Sequence, residues 1–438
     1  MANNQAMNRR AFLAGAGGVV VGAAGGALVT SAVKGSSSET ASTGGGGGDQ
    51  SEIVIASPYP LSGALAADGE EMKNGSALAI KEINAAGGVG GRMIRQVVID
   101  ADVLTPDGVT NAMNKAVSAN PHAIAFGYFV AWEPSVDIAA QYGAPVVHDV
   151  TFRQMVQKTA DDPKKYGNIF QTDPSEDLYG SGLVTFMTNL ESSGQWDPSS
   201  KRIFIVEGAT PYSHNISVAV QEDAKKIGWT ISGVEVVTPP VADYTPIISK
   251  IKSANPGVVI HTSIDPTDLA AFQTAFVANP SNALVYLQYG ASVPAFLDLA
   301  KTAGYGVIWA TVIGVLQDEI GERFQKAYQA EYNKAAGFSN SGGSYDQIYM
   351  LAQAWGRVGD PSNFEAVNAQ LRTQVYRGVC GGYWFDNKYQ SGLSYPTETK
   401  DPGLGLAHLF FQIQNGKQVC IAPDPYTIGK YEKAAWQS

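Results

Sequence analysis

The side chains best suited to catalysis lie too far apart along this chain to form a local motif. The five histidines, His122, His148, His214, His261 and His408, never fall within five residues of one another, so a His-Glu-x-x-His metal spacing does not occur. No Gly-x-Ser-x-Gly elbow is present. Gly416-Lys417 and Gly429-Lys430 are followed by Gln418 and Tyr431, where a phosphate-cradling loop needs Ser or Thr. The dinucleotide pattern fails at His408 in the run Gly403-Leu404-Gly405-Leu406-Ala407-His408. The sequence thus predicts no catalytic residues, no cofactor and no metal, and chemistry is left to side chains that only a fold brings together.

The elements that would gather them form a regular alternation. Continuous apolar runs are expected as strands at 53–56, 97–100, 123–126, 144–148, 202–207, 233–237, 258–262, 283–287 and 307–312. Such runs suit strands buried on both faces of a parallel sheet. Segments of helical period lie between them, for example 70–85, which stops at Gly87-Gly88, and 108–119, 134–142, 176–190, 215–227, 245–254, 267–278 and 293–303. Three more helices are expected at 318–336, 345–357 and 363–373, and strand and hairpin material in the tail, at 383–387 and 409–416. A single core stops growing at roughly 250–300 residues, so a chain of 438 predicts two lobes. The formal net charge of −10 repels phosphate backbones and argues against a nucleic-acid partner.

The N-terminus reads as an address. Asn8-Arg9-Arg10-Ala11-Phe12-Leu13 precedes a Gly- and Ala-rich apolar run, which resembles a twin-arginine (Tat) export signal over 1–33. A retained membrane anchor is the alternative, which the glycines of the run disfavour. Residues 34–50, with Gly44–Gly48 at their centre, form a flexible Gly/Ser linker. The expected location is periplasmic or extracytoplasmic, tethered if the signal is uncleaved. In an exported chain the even pair Cys380 and Cys420 favours a disulfide, with two buried free thiols as the alternative.

The stretch from Ile53 to Asp102 carries a resemblance. A strand leads into Pro60-Leu61-Ser62-Gly63, and Asp68-Gly69 opens a helix containing Asn74-Gly75. That helix closes with Glu82-Ile83-Asn84-Ala85-Ala86-Gly87-Gly88-Val89-Gly90-Gly91-Arg92, and the next strand ends in Asp100. This resembles the N-terminal signature of the leucine/isoleucine/valine-binding proteins, the type I periplasmic solute-binding components of ABC importers. Later landmarks also resemble the family: Phe126-Gly127, Tyr142 to Val147, Ile205-Val206-Glu207 with Tyr212, Tyr244 to Ile248, and Gly381 to Asn387.

The resemblance implies an α/β fold of two doubly wound parallel-sheet lobes joined by a three-segment hinge, near 171–174, 310–314 and 377–382. Lobe I would comprise 52–172 plus 314–376, and lobe II 173–313 plus 377–438. It also implies an amino-acid type transport role, small-molecule capture by a monomer, and ABC permease subunits as partners. A sensor of the same fold acting on a membrane signalling partner is the alternative, and an exported enzyme a weaker one. Ligands of open parallel sheets sit at the carboxyl ends of strands. The expected ligand-binding residues are therefore Tyr59, Asp68, Tyr128, Phe129, Val130, Ala131, Trp132, His148, Asp149 and Thr151 from lobe I. Lobe II would contribute Glu207, Tyr212, Asp265 and Tyr289, with Gln288 adjoining. The loop after strand three departs from the family: aromatics stand where amino-acid binders carry Ser and Thr to hold a carboxylate, and Tyr289 stands where they place an acid. The aromatic walls suit a small polar solute of amino-acid, amide or aromatic-acid type.

Overall fold

The computed structural model describes residues 52–437. The expected export signal and linker lie outside the described residues. The first half of the chain alternates β1 (Ile53–Tyr59), α1 (Ala66–Ala85), β2 (Ile94–Asp100), α2 (Pro106–Ser118), β3 (Ala123–Phe126), α3 (Glu133–Tyr142), β4 (Val146–His148), α4 (Arg153–Asp161) and β5 (Ile169–Gln171). The alternation repeats as α5 (Asp177–Ser192), β6 (Arg202–Gly208), α6 (Pro211–Lys226), β7 (Thr230–Val237), α7 (Thr245–Ala254), β8 (Val258–His261), α8 (Pro266–Ala278), β9 (Leu284–Leu287), α9 (Pro294–Ala300) and β10 (Ile308–Thr311). Three helices follow, α10 (Glu319–Tyr332), α11 (Asn340–Val358) and α12 (Phe364–Thr373). The tail holds β11 (Val375–Arg377), β12 (Gly382–Trp384), β13 (Ser394–Tyr395), β14 (Leu406–Ala407), β15 (Leu409–Gln414) and β16 (Lys417–Ala422).

All nine expected strands form. The sequence reading passed over β5 and α4. The helices start where local chemistry satisfies their free N–H groups: Thr105 accepts from Gly108 N–H ahead of α2, Thr210 from Ser213 N–H ahead of α6, and Asp318 from Ile320 and Gly321 ahead of α10. The β15–β16 hairpin turns on Asn415 and Gly416, both at positive φ.

The two halves share one topology. The first sheet has the order β2-β1-β3-β4-β5, all parallel. The second has β7-β6-β8-β9-β10 in parallel, extended by antiparallel β15 and β16. In each, the strand order reverses beside the first strand of the unit, leaving a crevice at the carboxyl edge.

Helix α11 returns to the first sheet. Ile348, Leu351 and Trp355 share a buried apolar cluster with Leu78, Ala79 and Ile83 of α1. That approach depends on Gly75, where a Cβ would stand 2.0 Å from the Ser341 carbonyl oxygen. In the second half Gly180 of α5 meets the Ile216 carbonyl of α6, which a Cβ would approach to 2.5 Å.

The segment expected as the third hinge crossing forms a hairpin, β11 paired antiparallel with β12, and Tyr383 of β12 and Phe385 just after it still pack with Phe170 of the first sheet. Apolar packing passes to the second sheet between Leu406 and Ala407. The disulfide is absent: Cys380 and Cys420 are both buried free thiols. They lie in different apolar clusters, Cys380 with the first sheet and Cys420 with the second, so each serves as a small core residue.

Candidate functional site

The carboxyl edges of the two parallel sheets converge on the segment Thr172–Glu176, which carries the chain from one half to the other. Gln171 ends β5, and Thr172 N–H donates to the His148 carbonyl (2.7 Å). Glu176 then ties both halves: its carboxylate accepts from Arg153 N–H (2.8 Å) at the start of α4 and from Asn215 Nδ2 (2.6 Å) on α6. Burial pushes its carboxyl up to about 7. Arg153 reinforces this bridge through an ion pair with Asp177 (3.0 Å).

Three groups of polar side chains occupy the facing edges. In the first, Tyr128 donates its hydroxyl to Asp68 Oδ2 (2.6 Å). Glu71, one turn further along α1, has its carboxyl raised to about 7 by burial and then by Asp68, and burial also raises Asp68 itself. Tyr289 reaches toward this group from the turn after β9, with its hydroxyl 3.5 Å from Asn340 Nδ2 and within electrostatic reach of Asp68 and Glu71.

The second group lies at the ends of β1, β4 and β5. Asp149 Oδ1 accepts the Thr172 hydroxyl, and Gln347 Nε2 of α11 donates to the same hydroxyl oxygen (3.0 Å). Burial holds the Asp149 carboxyl up at about 7. Tyr59 is fully buried at the end of β1, and no hydrogen bond closes at its hydroxyl. Asp173 is buried with Oδ1 unpartnered, and burial, then Asp149, raises its carboxyl well above the usual range.

The third group belongs to the second sheet. Tyr286 donates its hydroxyl to Gln288 Oε1 (2.6 Å), and Gln288 Nε2 donates to the Tyr212 hydroxyl (2.9 Å). Tyr212 meets the edge of Tyr179, with ring centroids 6.3 Å apart.

Other expected site residues are placed elsewhere. Phe129 is fully buried and stacks on Phe126 with centroids 4.2 Å apart, inside the lobe. Trp132 is buried against Phe152 at the start of α3. Val130 is exposed; its N–H and that of Ala131 both donate to the Val103 carbonyl (2.9 and 3.0 Å). His148 stacks on Phe126 and accepts from Val150 N–H through Nδ1, and burial lowers its pKa to about 3, so it is neutral. The Thr151 carbonyl accepts from Glu176 N–H (3.0 Å). Glu207 lies 3.0 Å from His214 Nδ1. Asp265 caps α8, accepting from Thr267 and Asp268 N–H (2.8 and 2.9 Å).

Sequence reasoning missed Glu71, Asp173, Glu176, Tyr179, Asn340 and Gln347. No spacing could have revealed them, because they join their partners only through the fold. Among the described residues no group of three or more His, Cys, Asp or Glu side chains is arranged to hold a metal ion, and no helix is long and apolar enough to cross a membrane.

Two sheets of identical strand order, with polar side chains facing each other across chain crossings, define a two-lobed solute-binding architecture. The sequence profile of the periplasmic binding protein family matches residues 52–392, and this chain belongs to that family. Leu/Ile/Val-binding protein homolog 7 of Brucella suis is 23% identical over 399 residues, covering 87% of this chain and 94% of that protein. Against Leu/Ile/Val-binding protein homolog 2 of Brucella abortus, 26% identical over 222 residues, the match spans only 55% of that protein's length. A solved structure from Silicibacter pomeroyi, assigned to branched-chain amino acid ABC transport, superposes with a TM-score of 0.85 at 36% identity. That match covers 88% of this chain and 100% of the other.

Proposed function

We propose that this protein is the extracytoplasmic solute-binding component of an ABC importer, holding a small polar organic solute between its two lobes without altering it. Lobe I would be 52–172 with 314–376, and lobe II 173–313 with 377–438, the stretch up to Leu406 packing against lobe I. Membership of the periplasmic binding protein family supports this reading. So do its relatives, which are named for binding leucine, isoleucine and valine. The observation that carries it is that Asp68, Tyr128 and Asp149 gather at one sheet edge and Tyr212, Gln288 and Tyr289 at the other, with Tyr289 within electrostatic reach of Asp68. Such edges can close on a solute and exclude water. Release to permease subunits in the membrane would follow reopening.

A thermal-shift panel of amino acids, amides, amines, aromatic acids and sugars tests the reading. A true solute at 100 times its Kd raises stability by about 2.7 kcal/mol. Silence across every class, or turnover of one compound, contradicts it.

A further inference from the structure

A buried carboxylate is costly unless a cation or several hydrogen-bond donors compensate it. Three carboxylates gather where β4, the Thr172–Glu176 segment and α11 meet. Asp346 is well supplied, accepting from Val379 N–H (2.7 Å), Cys380 N–H (2.9 Å) and the Tyr383 hydroxyl (2.9 Å). Asp149 and Asp173 are not. Asp149 has only the neutral Thr172 hydroxyl and the Gln347 amide to supply it and remains half-buried, while Asp173 is buried with Oδ1 unpartnered. No ion pair among the described residues includes any of the three. Arg377, whose charge reaches Asp346, is itself paired with Asp318.

Neutral groups from other elements mark the same corner. The hydroxyls of Ser341 and Ser344 in the first turns of α11 are fully buried with no hydrogen bond closed on them, and the buried Tyr59 hydroxyl on β1 has only the hydroxyls of Ser57, Ser76 and Ser344 within reach. Gly343, between the two serines, lies so near that a Cβ there would stand 2.9 Å from Asp149 Oδ2. Tyr59 feels the Asp149 charge. Acceptors and hydroxyls are therefore abundant here.

We propose that the solute of this clamp is a small organic cation, of ammonium or guanidinium type and without a free carboxylate, whose charged head is held by Asp149 and Asp173. The proposal rests on the clamp reading above and narrows it to a substrate class. An ammonium offers three donors and a guanidinium five, which suits carboxylates left short of them. A free carboxylate on the solute would instead meet acids of its own sign. Tyr128, in the loop after β3, spends its hydroxyl proton on Asp68. The rings of Tyr212 and Tyr289 on the opposite edge can cover the solute's organic body and add cation–π attraction.

Proton release follows. The titratable groups facing Asp149 and Asp173 are Asp346 on α11, Glu176 on the crossing segment, Tyr179 on α5, Tyr59 on β1, and Cys380 and Tyr383 from the β11–β12 region. With Asp149 raised to about 7, a cation binds in competition with a proton. Its affinity should fall by up to about tenfold per pH unit as pH drops from 7 to 5.

Calorimetry on the purified protein tests this with butylamine, putrescine and guanidinium set against leucine, glutamate, benzoate, acetamide and urea. The expected result is binding by an amine or guanidinium compound, weakening in acid and at least tenfold weaker in Asp149→Asn and in Asp173→Asn. Both variants should unfold at pH 8 no lower than the parent, since each removes an uncompensated buried charge. Tightest binding by leucine or another carboxylate, or by acetamide or urea without pH dependence, overturns the cation assignment while leaving the clamp intact. Unchanged amine affinity in both Asn variants also overturns it. No binding by any compound overturns the clamp and the assignment together.

Discussion

The two sheet edges share a strand order but use their acids differently. On the second sheet three acids near the edge are occupied within the lobe: Asp265 caps α8, Asp268 accepts from Tyr244 (2.6 Å) and Val241 N–H (2.9 Å), and Glu207 faces His214. The groups left toward the cleft are neutral, namely Tyr212, Gln288 and Tyr289. On the first sheet Asp68, Glu71 and Asp149 are buried or half-buried with no cation paired to them, and burial raises all three. One wall thus carries charge awaiting compensation, and the other carries a hydrogen-bonded aromatic surface. A repeated fold unit fixes where a site lies, whereas the internal bookkeeping of each unit fixes what the site can hold.

The sharpest way to break this contrast is to compare one residue from each wall. Asp149→Ala should weaken solute binding about 100-fold or more, whereas Tyr212→Phe, which removes one neutral hydroxyl, should weaken it tenfold at most, by titration calorimetry. A reversed order would place the dominant contact on the second lobe. Next in size are the helix crossings. Gly75→Ala and Gly180→Ala each force two helix backbones apart and should cost about 1–3 kcal/mol in urea unfolding. Equal losses would show that the halves depend alike on their close crossings; a neutral Gly75→Ala would mean that α11 yields.

The acid wall also shapes stability against pH. Glu71 rises from 4.5 to about 7 on folding, so between those values the folded chain keeps a proton that the unfolded chain has lost. Stability should therefore fall as pH rises through that window, and Glu71→Gln should remove about 1–3 kcal/mol of the fall. Denaturant titrations at pH 5 and pH 8 measure it, and an unchanged slope in the variant would mean that Glu71 is well solvated. Asp265→Ala should lose about 1 kcal/mol of stability through its cap and leave solute affinity unaltered. The smallest effect concerns the thiols. With Cys380 and Cys420 in separate cores, reductant should not move Tm, and a thiol reagent should label both only after unfolding; a reductant-dependent Tm would restore the disulfide.

Much of the fold was legible because its causes are local. Apolar runs such as Val258–His261 and stops such as Gly87-Gly88 act within a few residues, and the nine strands follow from them. Strand β5 escaped because Ile169–Gln171 is too short to show a period, and α4 because Arg153–Asp161 offers a polar run without a side-chain cap. The candidate site was only half visible. Tyr59, Asp149 and Tyr289 could be chosen as strand-end residues, but which way a loop residue turns is decided by packing. Phe129, next to the cleft-facing Tyr128, turns inward to stack on Phe126. Asp173 and Gln347 meet Asp149 only through chain crossings that no periodicity records. The cysteines misled because their parity carries no information about which core each one fills.

The account stands or falls on where a stabilising solute sits. The most direct measurement is a crystal structure of the protein with whichever compound raises its Tm most. The account predicts density between Asp149 and Tyr128 on one side and Tyr212 and Tyr289 on the other. Density instead in the cavity of about 760 Å³ lined by Phe186 of α5, His408 and Ile428 would contradict it.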